Sequence, residues 1–221
     1  MGIFKYKAHP LIILRFVCAK AAEITTTVLF RSYTSSEILN NIPATICEAI
    51  RATSAATSFF DPVIIGPRKR KFVDGAFGAN NPIEQLWNEA QNVWCPNDID
   101  LKDMLKCIIS LGTGNPGLRP LSEGVLKLLS ESLVRIAAET EDTAKLFVKR
   151  HRQLYEQKCY FRFNVQQGLQ DVGLEEYKKV ALIDAATSEY MDMQGTKTAS
   201  KECAMNLKQK QCMYTEVKSS S

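Results

Sequence analysis

The sequence predicts an α/β protein with a mainly parallel central sheet and covering helices, and three observations predict it. Short β-branched or apolar runs alternate with stretches at helical spacing, the order from which strand-and-crossover folds are built. Lys106 to Leu111 is nearly continuous in apolar residues, as in a strand covered on both faces. A corner at Asp74-Gly75, followed by Asn81-Pro82, carries the chain from strand into helix, because these residues supply turn chemistry, an N-cap and a proline at the first helical position.

The first strands are expected at Arg15 to Ala19 and Thr25 to Phe30, with a turn around Ala21-Ala22-Glu23. Thr45-Ile46-Cys47-Glu48 fits a capping box opening a helix, and Ile46, Ala49, Ile50 and Thr53 recur on one face of it. The small residues from Ala52 to Ala56 permit close backbone approach, Phe59-Phe60-Asp61-Pro62 ends the helix, and the two aromatics are expected in the core. Arg68 to Lys71 reads as a basic loop before Phe72-Val73-Asp74. The helix from Pro82 should present Ile83, Leu86, Ala90 and Trp94 inward and stop at Cys95-Pro96.

Beyond the strand at Lys106 to Leu111, a long helical region from about Ser122 carries Val125, Leu128, Leu129, Ile136 and Ala137 on its inner stripe, with one break before Phe147. Cys159, Phe161, Phe163 and Val165 alternate and mark a half-buried strand. A last helix near Leu174 to Met191 has Val180, Ile183, Thr187 and Tyr190 on one side, and the Lys- and Ser-rich tail from Gln194 shows no stripe and reads as mobile.

With 45% hydrophobic and 24% charged residues, 221 residues suffice for one domain with a substantial core. The net charge of +4 is spread over Arg68-Lys69-Arg70-Lys71, Lys145 to Arg152 and the tail, too thin a distribution for a nucleic-acid footprint. It is compatible with weak attraction to anionic lipid headgroups. Seven cysteines, at 18, 47, 95, 107, 159, 203 and 212, include no C-x-x-C pair, which speaks for an intracellular, cytoplasmic protein without a disulfide framework or metal site. Leu11-Ile12-Ile13-Leu14 is interrupted by Arg15 before reaching signal-peptide length, and Tyr6 occupies the place where a myristoylation site has Ser or Thr.

Gly112-Thr113-Gly114-Asn115-Pro116-Gly117 matches G-x-G-x-x-G directly after a strand. A dinucleotide site also needs a helix opening at once and an acidic residue ending a second strand. Pro116 and Pro120 disturb such a helix and Glu131 stands in a helical pattern, so a turn leaving the sheet is the better reading and no cofactor is expected. His9 and His151 stand among charged or unmatched residues with no nucleophile elbow nearby and read as surface histidines.

Taken in order, the helix from Ile46 to Pro62, the corner Phe72-Val73-Asp74-Gly75-Ala76-Phe77-Gly78-Ala79-Asn80-Asn81-Pro82 and the segment Cys107-Ile108-Ile109-Ser110-Leu111-Gly112-Thr113-Gly114 resemble the second half of a patatin-like phospholipase domain, particularly the fungal type. Leu29-Phe30-Arg31-Ser32-Tyr33 and Tyr160-Phe161-Arg162-Phe163 extend the resemblance to roughly Arg15 to Tyr190. It implies residues 1–14 unmatched, 15–193 as the C-terminal part of such a domain, and 194–221 as a tail.

The resemblance implies a lipid acyl hydrolase whose catalytic pair is a Ser in G-x-S-x-G and an Asp in D-G-G or D-G-A. Asp74, with Gly75 and Ala76 completing the turn, matches the second element and would serve as general base. No serine in the chain has glycine two before and two after it, and the family's D-G-G-G-x-[RK]-G oxyanion loop is missing as well. The nucleophile is therefore expected outside this chain, the sheet incomplete at its N-terminal side, and a strand edge open to self-association. Three readings stand beside one another: part of a lipid acyl hydrolase acting on phospholipid esters, a non-catalytic binding or scaffolding module on the same fold, and a nucleotide-binding domain using Gly112 to Gly117.

Overall fold

The computed structural model describes residues 14–24, 26–34, 41–57, 59–95, 100–115, 125–170, 172–173 and 176–208. They fall into two compact units, one running to Ala79 and one from Asn80.

In the first unit, β1 (Phe16–Ala21), β2 (Thr27–Arg31), β3 (Val63–Ile65) and β4 (Arg70–Asp74) form a four-stranded sheet in the order β2-β1-β4-β3. All three pairings are antiparallel. The basic residues do not form a free loop. Gly66 to Lys69 make the tip of a β3–β4 hairpin, and Arg70 and Lys71 already pair with Ile65 and Ile64. The core of this unit is Ala19, Ala21, Phe30, Ala52, Ala55, Val63, Ile65 and Phe72, with the Phe30 and Phe72 rings edge to face at 5.0 Å.

Helix α1 (Ile46–Thr53) begins at the expected capping box: the Thr45 hydroxyl accepts from the Glu48 amide at 3.2 Å and the Glu48 carboxylate accepts from the Thr45 amide at 2.8 Å. These hydrogen bonds, the one from the Thr45 backbone first, hold the Glu48 carboxyl below its ordinary pKa. The buried face differs from the expected one. Ile46 is 81% exposed and Ile50 is also exposed, while Ala52 and, just beyond the helix, Ala55 are buried, so small residues rather than the isoleucines face the core. Phe59 and Phe60 likewise stand exposed rather than in the expected core.

In the second unit, β5 (Ile108–Leu111) and β6 (Tyr160–Phe163) pair in parallel, Ile108 opposite Tyr160 and Leu111 opposite Phe163. Only this pair realises the expected parallel geometry among the described residues; the α/β mixture is as expected, whereas the larger sheet is antiparallel. β5 is covered on one face, with Ile108 and Ser110 buried and Leu111 75% exposed. Between the two strands run α5 (Val125–Arg150), unbroken where an interruption before Phe147 was expected, and α6 (Arg152–Glu156). The side chains of Val125, Leu128, Leu129 and Ala137 are outside those described. Ala144 and Phe147 supply the buried face of the second half of α5.

Helix α3 (Ile83–Trp94) and the short α4 (Leu101–Met104) complete this core of Ile83, Trp87, Ala90, Cys95, Leu101, Ile108, Phe147, Leu154 and Tyr160. The buried stripe of α3 is rotated from the expected one: Trp87 is inside, and Leu86 and Trp94 are exposed. A 3₁₀ turn at Tyr177–Lys179 leads into α7 (Val180–Asp192), which turns Ile183, Ala186 and Tyr190 inward and leaves Val180 and Thr187 out. Gln194–Lys208, expected to be a stripeless tail, is helix α8 with Thr196 and Cys203 buried.

Candidate functional site

Asp74 is the last residue of β4, and four contacts fix the corner it makes. It pairs with Ala19 across the β1–β4 ladder, and its amide donates to the Ala55 carbonyl at 2.9 Å. Its Oδ1 accepts from the Ala76 amide at 2.9 Å, so the carboxylate closes its own turn. Gly75 passes so near β1 that a Cβ there would stand 2.4 Å from the Cys18 carbonyl oxygen, which leaves room for glycine alone. The single helical turn α2 (Ala76–Ala79) follows, with the Ala79 amide donating to Gly75 at 3.0 Å.

Asp74 is half-buried, and among the described residues no donor reaches its second carboxylate oxygen. No serine hydroxyl of the described residues bonds it either. The nearby Cys18 thiol is pushed up to about 11 by burial, so it stays protonated and is no nucleophile. Among the described residues the corner thus offers one oriented acceptor oxygen and no group in place to use it.

Within the second unit a polar cluster stands at the C-terminal end of the parallel pair. Arg162 of β6 donates through Nη2 to Glu141 of α5 at 2.5 Å and through Nη1 to Ser110 of β5 at 2.9 Å. Asn164 donates to the same Glu141 oxygen at 2.9 Å and accepts from the Gly114 amide at 2.7 Å. Arg162 Nε is buried with no hydrogen-bond partner among the described residues. A cavity of about 60 Å³ opens here, lined by Asn80, Gly112, Thr113, Thr140, Glu141 and Arg162 among others.

That volume holds a few waters and is far below the several hundred Å³ typical of ligand sites. Gly112 is needed because a Cβ would meet Asn164 Oδ1 at 2.2 Å, and Gly114 has φ +110°. Both glycines therefore serve a tight exit from the strand, while Pro116 and Gly117 lie outside the described residues.

Several expected roles change. Asn81 does not cap α3, which begins at Ile83 after Pro82 without a side-chain cap. Its amide is instead buried and donates to the Thr140 carbonyl at 3.3 Å. His151 is not a surface histidine: its ring stands 4.2 Å from Trp87 and 4.5 Å from Phe147, and its Nδ1 is buried with no hydrogen-bond partner among the described residues. Burial is the largest cause of its lowered pKa, with Lys102 and Arg150 acting in the same direction and Glu84 and Asp100 opposing. His9 lies outside the described residues.

Sequence reasoning missed the Arg162–Glu141–Asn164 cluster, whose members come from a helix and the end of a strand with no local motif. Among the described residues no group of His, Cys, Asp or Glu could hold a metal ion, and no helix is long and apolar enough to cross a membrane.

The geometry by itself defines an α/β chain with an acidic residue held by backbone contacts at a strand-to-helix corner. Comparison with known proteins narrows it: residues 6–87 match the model of the patatin-like phospholipase family, a stretch that includes the Asp74 corner. The chain is similar to the calcium-independent phospholipase A2-gamma of Mus musculus, 29% identical over 161 residues that cover 66% of this chain and 20% of the relative. The protein of the same name from Rattus norvegicus is 28% identical over 162 residues, covering 67% and 20%. Phospholipase A I of Arabidopsis thaliana is 30% identical over 133 residues, covering 60% and 10%. The chain spans about a fifth or less of the length of these relatives.

Proposed function

We propose that this chain is the aspartate-bearing, C-terminal part of a patatin-like lipid acyl hydrolase of the fungal type, in which Asp74 is the general base for a serine that these 221 residues do not contain. The observation that carries the reading is the Asp74 corner, which lies inside the family-matched stretch and, among the described residues, leaves one carboxylate oxygen without a donor. In the complete site the serine hydroxyl gives its proton to that oxygen and attacks the ester carbonyl of a phospholipid, backbone amides of a glycine-rich loop hold the oxyanion, and water then releases the acyl group. In this reading β5 and β6 belong to a larger parallel sheet, the protein is intracellular with peripheral contact to membranes, and the uncovered sheet edges favour self-association.

The absence of any G-x-S-x-G serine favours one alternative, a non-catalytic binding module on the same fold. One experiment separates the two. The purified chain is assayed for esterase and phospholipase turnover alone and then with an N-terminal segment carrying the elbow and oxyanion loop. Activity only in the second case, abolished by Asp74→Asn with an unchanged circular dichroism spectrum, supports the hydrolase. Persistent inactivity supports the binding module, and turnover by the chain alone that survives Asp74→Asn refutes the role given to Asp74.

A further inference from the structure

Cys107, in the approach to β5, and Cys203, on α8, bring their sulfurs to 3.8 Å across 96 residues of sequence. The juxtaposition is held by contacts other than the thiols. On α8, Glu202 forms an ion pair with Lys158, and Asn206 donates to the Lys158 carbonyl at 2.7 Å. Residues 202, 203 and 206 share one helix face, so these two contacts orient Cys203 toward the start of the parallel strand pair. Cys203 is buried, whereas Cys107 is half-exposed and open to a small reagent.

We propose that Cys107 and Cys203 form a modification site, a dithiol that a peroxide converts into an intramolecular disulfide fastening α8 to the β5–β6 pair. The sulfurs stand about 2 Å farther apart than in a disulfide, a gap that rotation of the two side chains has to close on oxidation. In the first step the Cys107 sulfur attacks the peroxide, the O–O bond breaks, and a sulfenic acid and water form. In the second the Cys203 sulfur displaces hydroxide from that sulfenic sulfur, its own proton leaving with the hydroxide as water. Two thiols and one hydrogen peroxide thus give one disulfide and two waters.

The surroundings determine how such a site behaves. Burial and the adjacent Cys203 thiol push the Cys107 thiol up to about 12, so little thiolate is present at neutral pH and the dithiol oxidises slowly. The same feature makes the disulfide hard to reduce once formed, since no stabilised thiolate favours the reduced form. Cys159 also lies within electrostatic reach of Cys107, but its Sγ is turned to the Gln157 carbonyl at 3.7 Å.

The test treats the full 221-residue chain with hydrogen peroxide, blocks remaining thiols in denaturant, and maps disulfides by peptide mass spectrometry with and without reductant. The expected result is a Cys107–Cys203 cross-link, a monomer lighter by two hydrogen atoms, faster formation at higher pH, and a raised melting temperature that reductant reverses. Cys107→Ser and Cys203→Ser should each lose the cross-link and Cys159→Ser should keep it. Because the mapping is made on the unaltered chain, it decides the matter even where a variant fails to fold. Free Cys203 after oxidation, a Cys107–Cys159 bond, or only intermolecular bonding through the exposed Cys47 would overturn the proposal.

Discussion

Replacing Gly75 by alanine should destabilise the first unit severely. The added methyl would lie 2.4 Å from the Cys18 carbonyl oxygen and 2.8 Å from its carbon, both backbone atoms of β1. That strand cannot yield freely, because Ala19 pairs with Asp74 and the Thr53 hydroxyl donates to the same Cys18 carbonyl at 2.5 Å. Overpacking costs about 1–3 kcal/mol. Displacing the carbonyl also weakens the Thr53 hydrogen bond, and the two effects together come to about 2–4 kcal/mol. Amide hydrogen exchange of β1 in a urea series reads this locally. Trp87 and Trp94 both belong to the second unit, so their fluorescence monitors that unit separately. Gly195→Ala, where nothing lies within 4 Å of the added carbon, is the control and should be neutral or slightly stabilising. If Gly75→Ala leaves β1 protection within about 0.5 kcal/mol of the parent, the corner is not held by close backbone approach and the fixed placement of Asp74 fails with it.

Three further outcomes are expected. The burial-lowered pKa of His151 means that protonation favours the unfolded chain, where imidazole titrates near ~6.5. Stability should therefore be full above that pH and decline below it toward the depressed native value; His151→Phe should remove this part of the slope in tryptophan-monitored unfolding, and an unchanged slope would contradict the assignment. Glu141→Ala strips the carboxylate from Arg162, whose side chain is only 12% exposed, and should cost about 3 kcal/mol in urea denaturation, while Glu141→Gln, which keeps an acceptor for Asn164, should cost less. Millimolar NAD or ATP should leave the melting temperature unchanged, since only a ligand that prefers the native state raises it; a saturable shift would restore the nucleotide reading of Gly112 to Gly117.

What was legible in the sequence was local. The Thr45–Glu48 capping box and the Asp74-Gly75 turn depend on residues within three positions of one another, and both appear as read. The facing of helices was less legible because the large apolar residues did not decide it. In α1 the sheet receives Ala52 while Ile46 points away, and in α8 the inward positions are Thr196, Ala199, Cys203 and Asn206, a regular stripe with little hydrophobic content to reveal it. The β3–β4 hairpin was hidden by its basic tip and by a strand of only three residues, Val63–Ile65. The Arg162 cluster and the Cys107–Cys203 pair need contacts across 21 to 96 positions, which no window along the chain contains.

The division between local and distant information bears on Asp74 itself. Its β-ladder partner, the hydrogen bond its amide donates to the Ala55 carbonyl and the close passage of Gly75 all act on backbone, and the one side-chain contact within the corner uses Oδ1. Asparagine at this position keeps an oxygen for the Ala76 amide and leaves the three backbone constraints untouched, so Asp74→Asn removes the basicity of the second oxygen with little else. Glutamate keeps the basicity but adds a methylene, so its carboxylate no longer fits the two-residue turn that Oδ1 closes. A structural role for Asp74 predicts that Asn is tolerated and Glu is not, as judged by β1 hydrogen exchange. A general-base role predicts in addition that Asn, though fully folded, is inactive in the complemented enzyme. The pair of substitutions therefore separates the carboxylate's chemistry from the turn it builds, which neither substitution does alone.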